Sequence, residues 1–220
     1  MTLPLFPHHA ECDMDEDCAS AKICGAPDSA ILRGDSLDLL TAFDGEPDLI
    51  ATDPPYAFGG AGDEHEISAT VAIVLREAAA RLKRGRWMVV MCAASWRSTA
   101  YMVESVRGIV QPVRIGTWCK PVAKSKTRTA GWAWASVNVV AFRKGKAEDH
   151  HGSEYLDHIT ASPVIVGRRA ELPAVVADWM VQPFAVRGGL MLDPFAGSGA
   201  VVDAARRAGM VGVGFERADK

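Results

Sequence analysis

Residues 189–216 read GLMLDPFAGSGAVVDAARRAGMVGVGFE, and their pattern decides the fold class. A short apolar run, Gly189 to Leu192, enters the turn Asp193-Pro194-Phe195-Ala196-Gly197-Ser198-Gly199. A helical segment, Ala200 to Ala208, follows, and a second apolar run, Met210 to Phe215, ends at Glu216. Strand, glycine turn, helix and strand in that order make a parallel-sheet unit. Glycines in the turn let backbone N–H groups approach a ligand closely, with a helix N-terminus behind them. Glu216 stands seventeen residues beyond Gly199, close to the spacing at which an acid meets ribose hydroxyls in nucleotide-binding units. The phosphate-loop pattern Gly-x-x-x-x-Gly-Lys-Ser/Thr is absent. The plain alternative is a tight strand-to-helix connection with Glu216 as a solvated charge.

Outward from that unit the chain keeps alternating. Strands are expected at Ala30–Leu32, Pro47–Thr52, Trp87–Cys92, Val113–Trp118 and Trp132–Phe142. Helices are expected at Ser36–Phe43 with Ser36 as its cap, Ile67–Arg84, Ser95–Val106 and Pro173–Phe184. Trp87–Cys92 is continuously apolar, as a strand buried on both faces must be. The fold class is therefore α/β, a sandwich around a mostly parallel central sheet. Residues 1–25 read as an irregular acidic arm and residues 26–220 as a single domain.

Composition agrees with one domain. The chain has 220 residues, 49% apolar and 23% charged, with a net charge of −3. It contains no apolar run of about eighteen residues, which excludes a membrane-spanning helix. The acidic start has no basic region followed by an apolar run, so a cytoplasmic location is expected. Five scattered cysteines without a Cys-x-x-Cys pair argue for free thiols.

Asp53-Pro54-Pro55-Tyr56 closes the strand at 47–52, at the sheet edge where open α/β folds place their ligands. An aromatic amino group is a poor nucleophile because its lone pair is conjugated into the ring. The Asp53 carboxylate can accept one of its N–H bonds and a proline carbonyl, Pro54 by position, the other. Both contacts favour a pyramidal nitrogen, and alignment with an electrophile supplies much of the remaining acceleration. Prolines keep the acceptors aimed, and Tyr56 offers a ring on which an extruded base can stack. A rigid strand end with Tyr56 half-buried is the bland alternative.

With both motifs in view, the chain resembles the DNA amino-methyltransferases, in the permuted class where DPPY precedes FxGxG. Here these are Asp53–Tyr56 and Phe195–Gly199, and the approach GDSLDLLTAFDGEPDLIATDPPY is also similar. The resemblance spans about residues 30–142 and 168–216. It implies a Rossmann-like fold, S-adenosyl-L-methionine (AdoMet) as cofactor and DNA as partner, with RNA less favoured. It further implies that Asp35 contacts the cofactor adenine and Glu216 its ribose. Asp193, Phe195, Ala196, Gly197, Ser198 and Gly199 would then line the methionine side. The expected activity is site-specific methylation, adenine N6 first and cytosine N4 as the rival, without a covalent enzyme intermediate. A restriction partner and a homodimer are both compatible with that expectation, as is a non-catalytic nucleic-acid-binding role.

Thr117-Trp118-Cys119-Lys120 resembles the Trp-x-Lys segment of the same family. Lys120, Lys124, Lys126 and Arg128 form a basic loop with Trp132 and Trp134 nearby, as a nucleic-acid groove requires, although a solvated loop is the alternative. Two departures stand out. Leu172-Pro173 replaces the usual Lys-Pro pair, and the target-recognition insert, about 145–163, is very short. His8, His9, Cys12, Cys18 and Cys24 match no common zinc spacing, so no metal is expected.

Overall fold

The computed structural model describes residues 11–13, 29–55, 64–121, 135–146, 154–166 and 169–217. In chain order the strands are β1 (Glu11–Asp13), β2 (Ala30–Arg33), β3 (Leu49–Thr52), β4 (Trp87–Ala93), β5 (Gln111–Cys119) and β6 (Ser136–Arg143). They continue as β7 (His158–Thr160), β8 (Val164–Val166), β9 (Arg169–Glu171), β10 (Leu190–Asp193) and β11 (Val211–Glu216). The helices are α1 (Ser36–Ala42), α2 (Glu64–Arg81), α3 (Trp96–Ser105), α4 (Ala174–Val181) and α5 (Ala200–Arg207). Nine strands form one sheet in the order β1-β2-β11-β10-β3-β4-β6-β5-β7, and β8 and β9 form a separate antiparallel pair.

The sheet is parallel from β1 through β4 and again between β5 and β7; β6 alone runs against its neighbours. Since β6 reverses between β4 and β5, those two strands share a direction. The C-terminal ends of β2, β11, β10, β3, β4 and β5 therefore lie along one edge, and every loop discussed below leaves from it.

Alternation along β4 explains its unbroken apolar run. Met88, Val90 and Cys92 join the core under α1, α2 and α3, whereas Val89 and Met91 join the core under α4 and α5. Helix α2 buries Val71, Val74, Leu75, Ala78 and Leu82, the stripe expected from its spacing. At the opposite edge, buried Asp48 accepts from Lys83 at 2.8 Å and from the Leu190 amide at 3.1 Å, pinning the start of β3 to β10. Each charged group there has a partner, as burial demands.

Three local expectations are corrected. Helix α1 is capped by Asp35, whose carboxylate accepts from the Leu37 amide at 2.9 Å, not by Ser36. Residues Glu11–Asp13, expected in an irregular arm, add a parallel edge strand. The hydrophilic stretch after β6 carries β7, paired with β5. Tyr56, Lys124, Lys126, Arg128, Trp132, Trp134, His8, His9, Cys18 and Cys24 lie outside the described residues.

Candidate active site

Two loops leave adjacent parallel strands. Strand β3 pairs with β10, and Thr52, the last residue of β3, donates its hydroxyl to Asp193 Oδ1 at 2.6 Å. The next residue in one chain segment is Asp53 and in the other Pro194, so this bond ties the Asp-Pro-Pro loop to the glycine turn at their roots. Asp53 is partly buried, Pro54 buried and Pro55 exposed. Asp193 Oδ1 also accepts from the Phe195 amide at 3.0 Å, while Oδ2 is buried with no hydrogen-bond partner among the described residues. Burial pushes the Asp193 carboxyl up to about 7, and the nearby Asp53 and Glu216 carboxylates push the same way against its two hydrogen bonds.

The glycine turn is built from main-chain contacts. The Ala196 amide donates to the Phe215 carbonyl at 2.8 Å, and Gly199 donates to Ala196 at 2.8 Å. Gly197 and Gly199 take φ of +53° and +87°, a region side chains with a Cβ avoid. A Cβ on Gly199 would stand 2.6 Å from Ile31 Cδ1, whereas one on Gly197 meets nothing within 4 Å. Glu216 Oε2 accepts from the exposed Gly197 amide at 2.7 Å, so the acid at the end of β11 orients the turn. Ser36 Oγ donates to the Pro194 carbonyl at 2.7 Å and links the same turn to α1.

The predicted residues thus converge. Asp35 follows β2, Glu216 ends β11, Asp193 ends β10 and Asp53 follows β3, four neighbouring strands in one row. Lys120 follows β5 on the same edge. Its ammonium lies 4.6 Å from the centroid of the Trp118 ring, and the Trp118 indole N–H donates to the Ala161 carbonyl at 2.9 Å. Burial pulls the Lys120 ammonium below its usual range, and the Asp53 carboxylate opposes that pull, which brings the two charges into one site. Thr52 and Ser36 were missed by sequence reasoning. A lone hydroxyl at the end of a fully buried strand was the available signal for Thr52.

A cavity of about 360 Å³ lies elsewhere, between the first residues of β4 and the turn after α4, walled by Trp87, Trp179 and Phe184. It sits away from the C-terminal edge and brings no acid or base toward Asp53.

No protein-family model matches the sequence. No curated protein matches it either. Solved structures do. The M1.HpyAVI–SAM complex aligns with a TM-score of 0.69 at 20% identity, over 86% of this chain and 92% of that one. A DNA modification methylase of Thermus thermophilus, TTHA0409 complexed with S-adenosyl-L-methionine, gives 0.66 at 20% identity, over 86% and 90%. The PvuII DNA methyltransferase, described as cytosine-N4-specific, gives 0.68 at 20% identity, over 87% and 82%. The chain has the fold of DNA methyltransferases. On that methyltransferase fold, the Asp-Pro-Pro loop and the glycine turn leave paired strands at the same sheet edge. Among the described residues no group of three or more His, Cys, Asp and Glu could hold a metal ion, and no helix is long and apolar enough to cross a membrane.

Proposed function

We propose that this protein transfers the methyl group of AdoMet to an exocyclic amino group in DNA, adenine N6 in the first instance. The observation that carries the reading is the Thr52–Asp193 hydrogen bond of 2.6 Å, which roots a candidate catalytic loop and a candidate cofactor turn in one rigid unit. The turn fits the cofactor. An exposed Gly197 amide faces a side where no described atom would meet a Cβ, and three carboxyl groups, Asp53, Asp193 and Glu216, favour a cationic ligand. In this reading Glu216 and Asp35 hold the ribose and adenine, and the turn from Asp193 to Gly199 holds the methionine end. The cofactor supplies a methyl group made electrophilic by its sulfonium.

The chain supplies alignment. Asp53 and the Pro54 carbonyl accept the two amino N–H bonds, so the nitrogen lone pair points away from the ring plane toward the methyl carbon. As the N–C bond forms the C–S bond breaks, and the surplus proton leaves the nitrogen, which the negative Asp53 favours. No nucleophilic side chain is required, and Cys92, buried with its thiol pushed up by burial, takes no part. Tyr56 stacks on the extruded base, and Lys120, Lys124, Lys126 and Arg128 face the backbone phosphates. Residues 26–220 act as one domain in this account. Cytosine N4 is the second reading, supported by the likeness to the PvuII enzyme.

Asp53→Ala tests the division of labour. Methyl transfer should fall by about three orders of magnitude or more, as when a positioned acceptor is removed. AdoMet affinity, read by calorimetry, should stay within about threefold. Loss of cofactor binding with the fold intact would contradict the assignment.

A further inference from the structure

A single exposed apolar side chain needs no partner on that ground alone. Trp96 differs in where it stands and how it is held. Of the four described tryptophans, Trp87, Trp118 and Trp179 are buried or half-buried, whereas Trp96 is 88% exposed. It is the first residue of α3, immediately after the loop that leaves β4 at the C-terminal edge. Thr52 lies level with Val90 of the adjacent β4, and β4 runs on to Ala93, so this loop borders the one carrying Asp53.

The mount is rigid. The Ser95 amide donates to the Ala93 carbonyl at 2.7 Å, and the Ser95 hydroxyl accepts from the Ser98 amide at 3.1 Å. One turn on, buried Thr99 accepts from Asn138 of β6 at 3.2 Å and lies 3.8 Å from the Cys92 thiol. Helical side chains lean toward the helix N-terminus, which here means toward the loop edge and away from the core that Met102 fills. Arg97, also exposed, follows directly.

The geometry points to Trp96 and Arg97 as a nucleic-acid contact beside the target-base pocket, the indole stacking on a nucleobase and the guanidinium meeting a phosphate. This rests on the methyltransferase reading and deepens it by naming a contact outside the basic loop. An aromatic platform fixed in advance loses little freedom on binding, and stacking on it is tolerant of sequence. Together with the short recognition insert, such a contact suits an enzyme that grips an unpaired or extruded base more than one that reads many base pairs.

The experiment compares wild type, Trp96→Ala, Trp96→Phe and Arg97→Gln in binding a labelled oligonucleotide, with AdoMet binding measured in parallel. Because Trp96 is almost fully exposed, the alanine variant should keep wild-type unfolding. Its DNA affinity should fall roughly tenfold, the phenylalanine variant should recover most of that loss, and AdoMet affinity should not move. Arg97→Gln should reduce the salt slope by about one. Wild-type affinity in Trp96→Ala, with the wild type active on DNA, overturns this contact and leaves the activity standing. A wild-type protein that neither binds nor methylates DNA overturns both.

Discussion

Asp193 is the residue on which the site turns. It is 1% exposed, holds Thr52 and Phe195 through one oxygen, and has its carboxyl raised from 3.8 to about 7. A carboxyl whose folded value lies above its unfolded one keeps the native state protonated while the unfolded chain has already ionised. The unfolded state then binds fewer protons, so stability falls as pH rises between about 4 and about 7 and is level outside that window. The full effect is on the order of 4 kcal/mol. Asp193→Asn removes the titration, so the loss of stability between pH 5 and pH 8, measured by urea unfolding, should shrink markedly. An unchanged difference would show that Asp193 is ionised in the folded protein. A cationic ligand nearby should draw the proton off, and AdoMet binding near pH 6.5 should release a fraction of a proton, detectable by calorimetry in buffers of different ionisation heat.

The glycine turn shows how one element separates structure from binding. Gly199→Ala forces a left-handed residue to carry a Cβ 2.6 Å from Ile31 Cδ1. It should cost about 2 kcal/mol, or roughly 4–8 °C in Tm for a chain this size. Gly197→Ala adds a methyl where no described atom stands, so it should cost about 1 kcal/mol while weakening AdoMet binding far more. Thermal unfolding and titration of both variants check the contrast; equal losses of affinity and stability in the pair would contradict it.

The same element explains what could be read beforehand. Strand, turn and helix were legible because the apolar period changes from continuous to helical across Asp193–Gly199. Reversal of β6 was not, because a strand buried on both faces is apolar whichever way it runs. Asp35 was legible as a site residue but not as the cap of α1, since Ser36 beside it has equal capping chemistry. Thr52, Ser36 and Trp96 gain their meaning only from partners far away in sequence, which no local pattern carries.

At the scale of the whole molecule, a chain of net charge −3 must concentrate its positive charge locally to hold a polyanion. Neutralising Lys124 and Lys126 together should weaken DNA binding and lower the salt slope by about 1.8, at roughly 0.9 per phosphate contact. An unchanged slope would remove that loop from the interface. The sheet supports one further expectation. With both candidate loops on the same edge and joined by Thr52 and Asp193, cofactor and target base must approach from one side, and binding of either should favour the other.

The most direct test is incubation of the purified protein with tritiated AdoMet and unmethylated genomic DNA, followed by separation of the nucleosides. The account predicts label in N6-methyladenine. Label in N4-methylcytosine would keep the chemistry and change the base. Label in neither, with RNA and free nucleotides also silent, would contradict the proposed transfer altogether.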